Sequence, residues 1–291
     1  MSLPQNIQKL YPYKGHRIDV HGGSLHFLDE GESDTTILAL HGNPTWSFYW
    51  RSIVEAFHTT HRVVIPDHIG CGLSDKPQDW TYRLEDHIQN VESLVDHLQL
   101  KKIHLLVHDW GGAIGMGFAS RHPELIQSLT ITNTAAFHSQ EIPWSIASCR
   151  IPIFGSIAVR GFNAFAGIAT WRASAKGLSK DVKSGLIYPY KDWKNRIATL
   201  RFVEDIPLKP KHPSYATLTE VEKGLDLFKN HPMLILWGDQ DFCFTPNFRK
   251  IWEQRFPNAQ SHAWKDVGHY VMEDAPERSI SLMKTFWESV T

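Results

Sequence analysis

Four short runs constrain this chain more than anything else in it: ILAL (37–40), VVIP (63–66), IHLLVH (103–108) and MLILW (233–237). A strand with one wet face alternates apolar and polar residues, whereas a strand covered on both faces does not. These runs barely alternate. They predict strands of a parallel sheet with helices packed on both sides. Strands are expected at 17–20, 24–28, 36–40, 62–66, 103–108, 129–133, 232–237 and 260–264.

Amphipathic stretches lie between them. In 82–99, Leu84, Ile88, Val91, Leu94, Val95 and Leu98 recur at spacings of three and four, one face of a helix. The final segment, 275–289, repeats the pattern with Ile280, Met283, Phe286 and Trp287. Such β–α alternation predicts an α/β fold with right-handed crossovers and a mostly parallel, eight-stranded sheet flanked by helices. The rhythm stops between 136 and 225, where Trp, Phe, Pro and Gly abound and no strand pattern appears. The expected organisation is a core of 1–135 and 226–291, with 136–225 inserted as a helical cap. Such a cap would sit over the C-terminal ends of the strands, where open α/β sheets bind ligands.

The chain has 291 residues and is 42% hydrophobic, enough for a sizeable core. A net charge of -1 gives no electrostatic case for nucleic acid. Three cysteines, Cys71, Cys149 and Cys243, are too few and too far apart for a disulfide framework or a zinc cluster. The 17 histidines show no metal-ligand spacing, so neither metal nor cofactor is expected. The N-terminal stretch MSLPQNIQKLYPYKG has no apolar core of a secretory signal, making the cytoplasm the default expectation. Residues 151–171 are long enough to span a bilayer, but Arg160 and Asn163 stand in the middle. A central charge costs about 2.5–3.5 kcal/mol. A buried or pocket-lining segment is the expectation, with interfacial contact the lesser alternative and no transmembrane segment.

The chemistry concentrates at strand ends. In Val107-His108-Asp109-Trp110-Gly111-Gly112 a strand stops, one residue stands on a tight turn and a helix starts. That is the layout of a nucleophile elbow, with Asp109 at its tip. Alone, Asp109 reads equally well as the cap of the following helix. Gly-Asp-Gln-Asp (238–241) follows MLILW, and Gly-His (268–269) follows the last strand. Asp109, then an acid at 239 or 241, then His269 is the nucleophile–acid–base order of α/β-hydrolases. His41-Gly42-Asn43-Pro44, after ILAL, can supply one backbone N–H of an oxyanion hole. Trp110 would supply the other.

Together HGNPTWS, PDHIGCGLSDKP, VHDWGG, WGDQD and GHYVMED resemble the haloalkane dehalogenase family of α/β-hydrolases over essentially the whole chain. The resemblance implies Asp109 as nucleophile, His269 as base, and Trp110 with Asn43 as halide donors. One branch of the family places its acid, a Glu, after the strand matching 129–133. That strand here ends Thr132-Asn133-Thr134, without an acid. The family spacing of Gly, two residues, then Asp selects Asp241. This set looks like the third subfamily. RGFNAFAG (160–167) and NRIATLRFVEDIPL (195–208) further resemble β-lactone decarboxylases of bacterial long-chain olefin biosynthesis within that subfamily.

The expected activity is cleavage of carbon–halogen bonds through an aspartyl ester, giving alcohol and halide. The alternative is decarboxylation of a β-lactone to a cis-alkene and CO2. A carboxylate suits both, because it is ionised at neutral pH without help. A lesser alternative is an epoxide hydrolase using Tyr188 and Tyr190 as acids. The non-enzyme alternative is a ligand-binding protein on a hydrolase fold, for which the intact acid and base would be superfluous. The implied partner is a small apolar substrate, and the olefin-pathway likeness adds oligomerisation or assembly with enzymes of that pathway. Trp46, Phe48, Tyr49 and Trp50 are expected in the core. Phe162, Phe165, Trp171 and Trp193 are candidates for the cavity wall or for cap packing, and Asp67 for turn structure.

Overall fold

The computed structural model describes residues 3–290; Met1, Ser2 and Thr291, the outermost residues of the expected core segments, lie outside it. Eight strands form one sheet: β1 (His16–Val20), β2 (Gly23–Glu30), β3 (Thr36–Leu40), β4 (Arg62–Pro66), β5 (Ile103–Asp109), β6 (Ile126–Thr134), β7 (Met233–Gly238) and β8 (Gln260–Trp264). Their order across the sheet is β1-β2-β4-β3-β5-β6-β7-β8. β2 runs antiparallel to β1 and β4, and all other pairs are parallel.

The unalternating runs behave as their pattern requires. Leu38 and Leu40 pack into one apolar cluster with Leu105, Val107, Ile131 and Ile235. Ile37 and Ala39 point the other way, joining Leu106, Leu234 and Leu236. Each face of the sheet is therefore roofed. Burying each of these Leu and Ile side chains contributes roughly 1.5–3 kcal/mol. The amphipathic stretches form the helices Leu84–Leu98 and Pro276–Ser289, as expected.

Among the described residues, no strand interrupts the chain between Thr134 and Met233. Short helices fill that insertion, including Trp144–Ser148, Ala164–Arg172, Lys180–Ile187, Ile197–Glu204 and Tyr215–Gly224. Trp46, in the loop after β3, donates its indole N–H to the Gly185 carbonyl at 3.0 Å, tying the insertion to the core. No helix among the described residues is long and apolar enough to cross a membrane.

Residues 151–171 depart from the expected burial. Val159, Ala166 and Ala169 are buried, but Ile151, Ile153, Phe154, Phe162 and Trp171 are exposed. The segment is broken into pieces too short to bury all their sides, so one side of each faces out.

Candidate active site

Asp109 closes β5 and Trp110 opens the helix Trp110–Arg121. The junction holds Asp109 at φ 52° and ψ -127°, a sparsely populated conformation that costs on the order of 1–3 kcal/mol. Surrounding contacts must impose it. Thr134 on neighbouring β6 donates its hydroxyl to the Asp109 carbonyl. Gly111 presses so closely on β3 that a Cβ there would collide with the Leu40 carbonyl. The Asp109 side chain makes no capping bond to the helix. The capping alternative therefore falls away, and the carboxylate is free for another task.

Its two oxygens face different groups. Oδ1 accepts the Asn43 backbone N–H at 2.7 Å. Gly42 makes that approach feasible, because a Cβ at 42 would run into the carboxylate. Oδ2 lies 3.8 Å from His269 Nε2. Burial raises the Asp109 pKa above the ordinary carboxylate value, opposed by the His269 charge and by the backbone N–H groups of Asn43 and Trp110. Those two N–H groups are the pair expected for an oxyanion hole.

His269 Nδ1–H donates to Asp241 Oδ2 at 2.7 Å. Asp239 instead pairs with Arg249 at 3.3 Å, away from the histidine. Geometry thus selects between the two acids. Burial pushes the His269 pKa down, but the charge and hydrogen bond of Asp241, together with the Asp109 charge, outweigh it and hold the pKa above the usual histidine value.

Three supporting residues escaped the reading of the sequence. Asn133 Nδ2–H donates to Asp241 Oδ2 at 2.9 Å, while its Oδ1 accepts the Gly238 N–H at 2.8 Å. An amide therefore braces the acid from the end of β6. The Cys243 N–H completes the set on Asp241 Oδ1 at 2.6 Å. His108 donates Nε2–H to the His269 carbonyl at 3.0 Å. Burial and then the neighbouring His269 charge hold its pKa well below normal, so it stays neutral. Asp274 gathers the backbone N–H groups of Gly268 (2.7 Å) and Ala175 (2.8 Å), joining the histidine loop to the insertion. All three stand inside stretches quoted from the sequence, yet nothing in those stretches says what they touch.

Above these groups lies a cavity of about 200 Å³. Asp109, His269, Asn43 and Trp110 form its polar floor. Ala164, Phe165, Ile168 and Val203 of the insertion and Phe244 and Phe248 of the core supply apolar walls. The Trp110 indole N–H has no protein hydrogen-bond partner among the described residues, and the ring lies 5.2 Å from Phe202. The Asn43 amide spends one N–H on the Thr199 carbonyl at 3.1 Å and keeps a second. Asn43 and Trp110 thus bring N–H donors to an otherwise apolar cavity.

Other candidates resolve differently. Tyr188 and Tyr190 do not line the cavity. Tyr190 is buried against the Thr45 carbonyl, and Tyr188 lies under Lys191. The epoxide-hydrolase alternative loses its acids, because both rings are consumed in packing. Of the four cap aromatics only Phe165 lines the cavity; Phe162, Trp171 and Trp193 are exposed. Trp46, Phe48, Tyr49 and Trp50 are core. Buried Asp67 binds His26, the Ser47 N–H and the Leu73 N–H, a structural role.

A parallel sheet with a strained carboxylate at its elbow, a histidine–aspartate pair behind it and a roofed apolar cavity defines an α/β-hydrolase built around an aspartate. The α/β hydrolase fold family matches residues 35–148. The cis-3-alkyl-4-alkyloxetan-2-one decarboxylase of Shewanella oneidensis is 44% identical over 287 residues, covering 96% of this chain and 90% of its own. Haloalkane dehalogenase 2 of Mycobacterium tuberculosis is 29% identical over 277 residues, covering 93% of each. The crystal structure of a haloalkane dehalogenase from Agrobacterium tumefaciens superposes with a TM-score of 0.85 at 25% identity, covering 96% of this chain and 97% of that one. The chain belongs to the α/β-hydrolase family of the cis-3-alkyl-4-alkyloxetan-2-one decarboxylases, and it is similar to the haloalkane dehalogenases.

Proposed function

We propose that this protein opens and decarboxylates cis-3,4-dialkyl oxetan-2-ones, using Asp109 as nucleophile, His269 as its charged or basic partner and Asp241 as the acid that orients His269. The carrying observation is the split environment of Asp109: Oδ1 is held by a backbone N–H while Oδ2 stays free beneath an apolar cavity. The choice of substrate is supported by two decarboxylases at 44% and 38% identity over nearly the whole chain, against 29% for the dehalogenases.

In the first step Oδ2 bonds to ring C4 as the C4–O bond breaks, freeing a carboxylate on C2. Trp110 Nε1–H and the spare Asn43 amide N–H receive that anion. The C2–C3 bond then breaks, CO2 leaves, and its electron pair forms the C3=C4 bond. The C4–Oδ2 bond returns its pair to Asp109. No proton is consumed. A protonated His269, favoured by its two carboxylate neighbours, balances the negative charges.

A second reading rests on the same anion site: a halide replaces the freed carboxylate, and the Asp109 ester is hydrolysed. Water would attack the ester carbonyl, the Asn43 and Trp110 backbone N–H groups would hold the oxyanion, and neutral His269 would take the proton. The two readings separate in one experiment. Purified protein receives a cis-dialkyl β-lactone and, separately, a bromoalkane of matched length. Alkene and CO2 in equal amounts with little bromide are expected; bromide release without alkene overturns the decarboxylase reading.

A further inference from the structure

The insertion carries an outward face that the cavity does not use. Of eleven exposed large apolar side chains among the described residues, ten lie between Trp144 and Trp193. Trp144 is 84% exposed, Phe162 80%, Ile153 76% and Trp171 75%. Monomeric soluble proteins seldom show such a concentration without a use for it.

Charge supplies a second, independent observation. Residues 142–200 hold nine Lys and Arg but only two Asp, in a chain whose net charge is -1. Arg172, Lys176, Lys180, Lys191 and Lys194 are exposed. Among the described residues, Lys176 is the only one of the nine within ion-pair distance of a carboxylate, Asp266 at 3.3 Å. Cations without a carboxylate partner, interleaved with exposed Trp, Phe and Ile, are the composition of a surface that enters the headgroup region of an anionic membrane. Ile168 is 48% exposed and also lines the cavity, so this face is continuous with the cavity mouth.

We propose that this face, carried by the helices Trp144–Ser148 and Ala164–Arg172 and the segment between them, docks the protein on an anionic lipid bilayer. Trp144, Phe162 and Trp171 enter the interface, and the surrounding lysines and arginines meet the headgroups. An apolar substrate then passes from lipid to cavity across Ile168 without crossing water. Only this last, delivery step rests on the proposed function; the docking itself does not.

The test uses full-length protein and no substrate. Flotation is measured with phosphatidylcholine vesicles, with and without phosphatidylglycerol, at low and high salt. Binding to the anionic vesicles at low salt is expected, falling at least about tenfold on raising salt or removing phosphatidylglycerol. The triple variant Trp144→Ser/Phe162→Ser/Trp171→Ser loses about tenfold or more in partitioning, and Lys180→Glu/Lys194→Glu weakens binding to anionic vesicles alone. None of these five residues lines the cavity, so thermal unfolding and turnover of a short, water-soluble substrate stay near the parent values. Absence of binding to anionic vesicles, or equal binding by parent and triple variant, overturns the proposal. A dimer in sedimentation that the triple variant abolishes, without vesicle binding, also overturns it, in favour of a second copy as the occupant.

Discussion

The sheet ends and the insertion solve opposite problems. At the sheet ends each group of the proposed triad is anchored by named hydrogen bonds: Asn43 to Asp109, Asn133 and Cys243 to Asp241, Asp241 and His108 to His269. The insertion has short helices, one face turned to the cavity and another to solvent. The contrast separates positional accuracy, which chemistry needs, from apolar enclosure, which substrate choice needs. A strained backbone persists only where its neighbours over-determine it, and the central strands provide that. A wall of apolar side chains tolerates looser construction.

Substitutions test this division, beginning with the largest effect. Asp109→Asn keeps shape and removes the proposed nucleophile. Turnover of both β-lactone and bromoalkane should fall by about four orders of magnitude or more, measured as alkene or bromide release. Retained turnover would remove Asp109 from the mechanism.

His269→Gln comes next. Bromide turnover should drop on the order of a thousandfold, because ester hydrolysis loses its base. An alkyl adduct on Asp109 should accumulate, visible by intact-protein mass. Alkene formation should fall less, since its proposed steps consume no proton. The pH dependence carries the same distinction. His269 has a raised pKa, so its neutral form exists only above that value. Bromide turnover should therefore decline, on lowering pH, at a pH above the usual histidine range. Alkene formation should persist through that window, and identical pH profiles would argue against separate roles for the two forms.

Asn133→Ala removes a hydrogen bond to the buried Asp241 carboxylate, an interaction whose loss costs about 1–3 kcal/mol. A decrease of roughly tenfold to a hundredfold in ester hydrolysis is expected, with the first, alkylating step of a rapid-quench experiment little changed. The smallest effect belongs to the insertion. Ile168→Ser should raise KM a few-fold for long chains and leave kcat near the parent value. An equal fall in kcat would mean that the wall also positions the reacting carbon.

Much of the molecule was legible before any coordinates. All eight strands lie where the sequence pattern placed them, and the central β3, β4, β5 and β7 write their double burial into consecutive residues. Leu38 and Leu40 facing one cluster, and Ile37 and Ala39 the other, follow from the two-residue period alone. The order of Asp109, an acid after β7 and His269 was equally visible, since each stands just past a strand end. The insertion was less legible. Apolar content at 151–171 predicted burial, but hydrophobicity does not say whether a short helix has enough neighbours to cover every side.

What the sequence determined by itself is therefore what is encoded locally: strand and helix periods, the glycine-bearing elbow, and the order of chemical groups along the chain. Tertiary structure alone decided that an amide from Asn133 braces Asp241 across 108 residues of chain. It also decided that His108 supports the His269 loop over a separation of 161 residues, and that Phe165 turns inward while Phe162 and Trp171 turn out. The physical reason is one of range. Periodicity is set by neighbours on one element, whereas a hydrogen bond between strand ends exists only after the sheet has brought them within 3 Å or so.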